Sequence, residues 1–558
     1  MPRKPLKPRE ALSPVDWEQP GRATLDELLP IAVAACMITI IALEYFASRG
    51  MLLLYGDAVA HLHIARRIFD SRNPGFQQLG GVWLPLPHLL LLPFVQRMDW
   101  WQTGLAGAWP SMICYVTSVV GFYRLARHML SLRWAMVAML FFALNPALIY
   151  LSVTAMTEPL FLALVIWGTL QLLEFSFALR AGAVSRAVWK LVWLTLLLVA
   201  AVYTRYDGWI FAVATWCIVL AIFLRQRTKT PAVRNAFLVF TVLIAAAPIG
   251  WLAYNAHYFH DPLDFMRGPY SAAAIERRTS PPGADHYRGW HSPLWALIFY
   301  TRTAQIDAAA GESGFLVMAL ALAGLWAAFK TRLDGRTALA LLWFPLPFYV
   351  YSVAYGSVPI FIPQLWPHSY YNSRYGMEML PAFALCVSVA LAWVQRRWLA
   401  ESKNGATVLW GVALAAVLVN CAVIFYEKPL VLREAIQNSS TRIPMEAGIT
   451  RELTEMTPGV PILMYVSDHP GAVMAAGIPL KQILNESDYD SFHAALAAPA
   501  EHAAYVIAIA GDAVDEAVTA HPEGLVETDV LGVTGQPEVR IYRSTVYGAA
   551  GNHAPGGE

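Results

Sequence analysis

The chain has 558 residues, 57% hydrophobic and only 14% charged, with 20 Trp, whereas soluble domains carry about 25% charged residues. That balance excludes an ordinary soluble domain and points to a polytopic membrane protein. The formal net charge of +1 gives no overall field for nucleic acid or an acidic partner, so only the placement of charge informs.

The N-terminus, MPRKPLKPRE, is basic and Pro-rich. It reads as a cytoplasmic tail, 1–28, ahead of an uncleaved first helix, because no small-residue cleavage site follows the first apolar run. A spanning helix needs about 20 mostly apolar residues. Eleven segments qualify: 29–48, 104–123, 133–151, 158–178, 188–203, 208–224, 235–256, 313–329, 337–355, 375–394 and 405–426. All five cysteines lie inside apolar runs and read as small hydrophobes. The basic clusters are Arg124, Arg127 and Arg133; Arg180, Arg186 and Lys190; Arg225, Arg227, Lys229 and Arg234; Lys330, Arg332 and Arg336; Arg396, Arg397 and Lys403. With the N-terminus inside, every cluster falls on the cytoplasmic side, where short loops collect Lys and Arg. The piece 83–96, WLPLPHLLLLPFVQ, is too short and Pro-rich to span and reads as an interfacial or re-entrant helix.

The membrane unit therefore covers 29–428, with outer loops 49–103 and 257–312. Beyond it the apolar runs shorten to strand length at 460–467, 503–511 and 538–544, with helical stretches near 470–476, 488–497 and 512–520. That alternation predicts a small extracytoplasmic α/β domain over 429–550, followed by a disordered end, 551–558. Its GDAVDEA stretch has too few glycines for a dinucleotide fingerprint, so the domain reads as shaping acceptor access.

Four outward ends carry acid or arginine. In the first, YGDAVAHLH (55–63), Asp57 is expected at the N-cap of a helix over 58–71, with His61 one turn on. Leu62, Ile64 or Ala65, Ile68 and Phe69 are expected toward bundle or lipid, and Arg66, Arg67 and Asp70 toward water. The second end is Thr157-Glu158-Pro159 at a helix start. The third is the hairpin YTRYDGW (203–209), with Arg205 and Asp207. The fourth is YYNSRYGMEMLP (370–381), which leads Arg374 and Tyr375 into a span containing Glu378. Each alone reads as a cap or a solvated charge; together they predict one polar site under the outer face. Such a site suits transfer from a lipid-borne phosphate, with arginine clamping the leaving group and a carboxylate acting as base.

These stretches resemble the GT-C class of membrane glycosyltransferases, which includes protein O-mannosyltransferases and lipid A aminoarabinose transferases. GDAVAHLHIARRIFDSRNPGFQQLGGVWLPLPHLLLLP is similar to their first outer loop. MTEPLF (156–161), TRYDG (204–208), DPLDFMRGPYSAAAI (261–275) and RYGMEMLP (374–381) follow in the family's order, and the resemblance covers about 30–395. It implies a GT-C fold in the cytoplasmic (inner) membrane and an outward site. It also implies a sugar donated from a polyprenyl phosphate or diphosphate, with inversion, to a protein, lipid or glycan acceptor. By position it makes Asp57 and Glu158 the catalytic acids, and makes Arg205, Asp207, His61, Arg374 and Tyr375 donor or substrate contacts. The family's Lys-Pro-Pro is here Leu86-Pro87-His88, so His88 either replaces a phosphate-binding lysine or has no such part. Some relatives hold a divalent cation at the paired acids and others need none; here Asp57 and Glu158, with His61, would be the ligands. His257, His260, Asp261, Asp264, Asp285, His286 and His291 of the long loop lack ligand spacing and read as solvated. The alternatives are a secondary transporter, which calls for inverted repeats and midplane charges, and a non-catalytic assembly protein.

Overall fold

The computed structural model describes residues 21–225, 230–279, 286–400 and 402–548. Most of the expected tail, Arg227 and Lys229 of the third basic loop, Asp285 and the end 551–558 lie outside the described residues.

Among the described residues ten helices are long and apolar enough to cross a membrane. They match ten of the eleven expected segments. The last, Asn404–Glu455, breaks at Lys428-Pro429 into Lys403–Glu427 and a more polar helix, Leu430–Glu455. The eleventh, expected over 133–151, is two shorter helices, Leu132–Ala143 and Pro146–Leu151. Pro146 has no N–H to continue the ladder, and the Asn145 side chain caps the new start by accepting from the N–H groups of Ala147 and Leu148 at 2.9 and 3.2 Å. The piece expected to be too short is the helix Pro85–Val95.

Lipid tails are as apolar as leucine, so the bundle depends on close packing of small residues more than on water exclusion. Ser313–Lys330 approaches Leu380–Trp398 so closely that a methyl group on Gly324 would run into the carbonyl oxygen of Cys386 and lie 3.1 Å from the backbone nitrogen of Ala390. Both atoms are main chain and cannot rotate away. Gly324→Ala is therefore expected to destabilise the bundle by about 1–3 kcal/mol, the usual range for overpacking, as a lower thermal midpoint in detergent.

One buried helix was not expected. Pro293–Ala308, inside the region read as an outer loop, packs against Pro345–Tyr355 and the 3₁₀ turn Ser373–Met379. It buries Ala296, Phe299, Tyr300 and Ala304.

Beyond the bundle lies a five-stranded sheet in the order β2-β1-β3-β5-β4. The strands are β1 (Ile462–Met464), β2 (Ile483–Leu484), β3 (Tyr505–Ile509), β4 (Leu525–Leu531) and β5 (Val539–Ser544). β1 runs parallel to β2 and β3, and β5 runs antiparallel between β3 and β4. Val506, Ile507, Ala508 and Ile509 of β3 are all buried, as suits a central strand covered on both faces. The helices Pro470–Ala476, Asp490–Ala497 and Ala513–Ala520 lie between strands, near the expected positions. β2 and the exposed edge strand β4 were not foreseen. The sheet unit is tied to the bundle by Arg67 Nη1 donating to Ser487 Oγ (2.8 Å), Gln78 Nε2 to the Ser487 carbonyl (3.1 Å) and Gln102 Nε2 to the Ala475 carbonyl (3.1 Å).

Candidate active site

Asp57 lies in the first turn of the helix Gly56–Asp70. The N-cap is Tyr55, so Asp57 is not the cap expected; Gly56 already takes the first helical position, and the carboxylate sits where the positive helix end favours it. Its side chain keeps 39% exposure while pairing with Nη2 of Arg374. The expected water-facing row of this helix is also corrected. Arg66 is buried, donating to the Val95 carbonyl (2.7 Å) and to Asp70 (2.8 Å), and Arg67 donates to the Gln78 carbonyl and to Ser487. Phe69, expected toward bundle or lipid, lies exposed on the outside of the helix. The helix is flanked by Pro85–Val95, the 3₁₀ turn Phe76–Leu79 and the sheet unit, and the carbonyls of Val95 and Gln78 and the Ser487 hydroxyl take the place of water.

Glu158 is the first residue of Glu158–Arg180 and is fully buried. Its Oε1 accepts from Nη1 of Arg205 (3.0 Å) and from Nε of Arg374 (3.1 Å). Arg205 comes from the short connection between Val184–Val202 and Asp207–Arg225. Besides Glu158 it meets Asp207 Oδ2 (3.1 Å), Thr157 Oγ1 (2.8 Å), the Tyr349 hydroxyl (2.8 Å) and Glu378 Oε1 (3.1 Å). That hydroxyl also lies 2.6 Å from Glu378 Oε1 and 3.0 Å from Asp207 Oδ2. The Tyr375 ring stacks on Tyr349 and lies 5.1 and 4.9 Å from the guanidinium carbons of Arg205 and Arg374, within cation–π range.

The four outward ends thus meet in one cluster that joins Asp57, Glu158, Arg205, Asp207, Arg374, Tyr375 and Glu378. Tyr349, hidden in an apolar run, and Glu434, a polar residue beyond the last span, belong to it and were not singled out. Neither carries a local motif.

The two histidines lie to one side. His61 Nδ1 is 2.9 Å from His88 Nε2, and the His61 ring lies 4.4 Å from that of Trp83. His88 is fully buried with His61 as its side-chain partner. It thus contributes a hydrogen bond to another imidazole where a lysine would contribute a charge. Burial, reinforced by the positive charges of Arg374 and Arg205, pushes the His61 imidazole down from 6.5 to about 3. Between these values the unfolded chain holds a proton that the folded one lacks, so the stability from neutral His61 is complete above pH 6.5 and drains away as pH falls toward 3. Thermal midpoints in detergent are expected to decline below pH 6.5; His61→Phe, if it folds, should make that decline shallower without removing it, because burial also pushes the His63 imidazole down to about 3.

Asp57 and Glu158 do not face each other across a space for a cation, because Arg374 donates to both. The pair as arranged fits a guanidinium and not a divalent ion. In the long loop, His286 Nδ1 lies 2.7 Å from Glu276 Oε1. Among the described residues no group of three or more His, Cys, Asp or Glu is arranged to hold a metal.

No family model and no curated protein matches the chain. Among solved structures it is similar to the crystal structure of ArnT from Cupriavidus metallidurans bound to undecaprenyl phosphate. The TM-score is 0.56 and the identity 12%, over 95% of this chain and 100% of that one. Two crystal structures of the Archaeoglobus fulgidus oligosaccharyltransferase match at TM-score 0.43 and 12% identity, covering 86% of this chain and 68% and 69% of theirs. One is a complex with Zn and sulfate, the other is tethered to an acceptor peptide containing the NVT sequon. The expected fold class is thus the observed one: the chain is a multi-pass helical bundle with a small C-terminal α/β unit, and its GT-C fold is shared with ArnT.

Proposed function

We propose that the chain is an integral membrane glycosyltransferase that moves a sugar from a polyprenyl-phosphate-type donor to an acceptor, at a site on the non-cytoplasmic side of the inner membrane. The side follows from the positive-inside reading of the basic loops. The observation that carries the function is Arg374, whose guanidinium joins the partly exposed Asp57 to the buried Glu158.

Arg374 is already paired, so a donor phosphate gains its fork only by displacing a carboxylate. Asp57 is the displaceable one, being 39% exposed where Glu158 is buried. Donor binding then exchanges Asp57 for phosphate on Nη2 and frees the carboxylate next to the reacting centre. The acceptor hydroxyl or amine attacks the anomeric carbon, and the bond from that carbon to the phosphate oxygen breaks with its electron pair staying on the phosphate. The acceptor proton passes to Asp57, and the sugar inverts. Arg374 stabilises the charge developing on the leaving phosphate, while Glu158 and Arg205 hold the guanidinium in register.

Mass spectrometry of lipid co-purifying with the protein tests the donor class. A polyprenyl phosphate or its glycosylated form, lost in Arg374→Gln, is expected; the same lipids retained in that variant would contradict the assignment. Because a guanidinium lies between the acids, turnover is expected to survive EDTA. Activity that EDTA removes and a divalent cation restores would place a metal at these acids instead.

A further inference from the structure

The helix Leu430–Glu455 leads from the last membrane helix into the sheet unit, and its N-terminal half grips both sides of the Asp57–Arg374 pair. On one side the Tyr55 hydroxyl donates to the Val431 carbonyl (2.8 Å), and Arg442 Nη2 donates to the carbonyls of Leu53 and Leu54 (3.0 Å each). These residues lead directly into Asp57. On the other side the buried Glu434 accepts from the backbone N–H groups of Asn372 (3.0 Å) and Ser373 (2.8 Å) and from the Ser373 hydroxyl. Its Oε1 lies 3.7 Å from Nη1 of Arg374.

Each nitrogen of Arg374 therefore faces a different carboxylate: Nε faces Glu158, Nη2 faces Asp57 and Nη1 faces Glu434. We infer that Glu434 is a positioning residue, which anchors the Nη1 edge of Arg374 so that the Nη2 edge alone changes partner when donor binds. The inference deepens the transferase reading and rests on it. The sheet unit thereby reaches the reacting centre through the helix that joins it to the membrane, which gives it a part beyond that of a cover.

Removing the Glu434 charge has two opposing effects. It relieves repulsion toward an incoming phosphate, but the guanidinium lies between the two, which mutes that gain. It also releases the Nη1 edge, which leaves the guanidinium held by Glu158 at Nε alone once Asp57 is displaced, so that freedom regained at the Nη edge must be lost again on binding. The second effect is the larger.

The test is a double-mutant cycle on binding of undecaprenyl phosphate to the purified full-length protein in detergent, read by native mass spectrometry. Glu434→Gln is expected to weaken binding about tenfold in the wild-type background and less than twofold further in Arg374→Lys, which keeps a cation among the buried acids and so keeps measurable binding, but has no Nη1 edge to anchor. Ser373→Ala, which removes one hydrogen bond from Glu434 but leaves its charge, is expected to change binding less than twofold. Equal weakening by Glu434→Gln in both backgrounds, no weakening at all, or tenfold weakening by Ser373→Ala would overturn the positioning role. Should Glu434→Gln not fold, Glu434→Asp keeps the charge but withdraws it from Nη1, and is expected to weaken binding several-fold within the same cycle; an additive result overturns the inference. Wild-type protein that does not bind the lipid refutes the transferase reading, and this inference with it.

Discussion

Replacing Arg205 by alanine is expected to abolish or severely impair folding, with a loss of about 3–5 kcal/mol, the range for breaking a buried ion pair from one side. The resemblance makes Arg205 a donor contact, for which a modest affinity loss would be expected. Its surroundings say otherwise. Glu158, Asp207 and Glu378 are all essentially buried, and each places an oxygen within 3.1 Å of this one guanidinium. Truncation leaves three carboxylates without that cation, and Glu158 Oε2 and Glu378 Oε2 already have no hydrogen-bond partner. Arg205→Lys is expected to recover little, since a point charge cannot reproduce a fork that spans Thr157, Glu158, Asp207, Tyr349 and Glu378. Yield and thermal midpoint in detergent decide the matter. A variant with an unchanged midpoint and only weakened donor binding would return Arg205 to the donor site.

Asp57→Asn is expected to show the opposite pattern, with turnover falling roughly 10²- to 10⁴-fold, the usual contribution of a general base, and the fold retained. Asp57 is the most exposed of the carboxylates paired with Arg205 and Arg374. Asparagine can still accept a hydrogen bond from Arg374, which keeps Glu158 and Glu434 as its ionic partners. Stability is expected to change by less than about 1 kcal/mol, in line with other partly solvated pairs. Turnover that persists at the wild-type level would remove Asp57 from the base role.

The contrast between these two residues marks where the sequence is legible. Hydropathy suffices for ten of the eleven expected spans, because the bilayer demands long apolar helices. Asn145-Pro146 was the available signal for the break in 133–151, since a proline cannot continue a helix and Asn is a good cap. Pro293–Ala308 escaped because Thr301, Arg302, Thr303, Gln305 and Asp307 dilute its hydropathy to that of a loop, although Ser292-Pro293 is a helix-start signal. Side-chain roles were harder. Amphipathicity divides Gly56–Asp70 into apolar and charged faces but cannot tell water from backbone carbonyls, so Arg66 was assigned to solvent. Glu434 sits in LREAIQNSS, a stretch of unremarkable polarity, and only folding brings it to Arg374, sixty residues away in the chain. Tyr349 is one tyrosine among several in its helix, distinguished only by the acids its hydroxyl meets.

The most direct test of the central claim is reconstitution of the purified protein in liposomes with a radiolabelled sugar on a polyprenyl phosphate and an extract of envelope acceptors. Label is expected to move to an acceptor with stoichiometric release of the lipid phosphate, and Asp57→Asn should reduce both together. A donor left intact by the wild-type protein, with label crossing the bilayer as free solute, would contradict it.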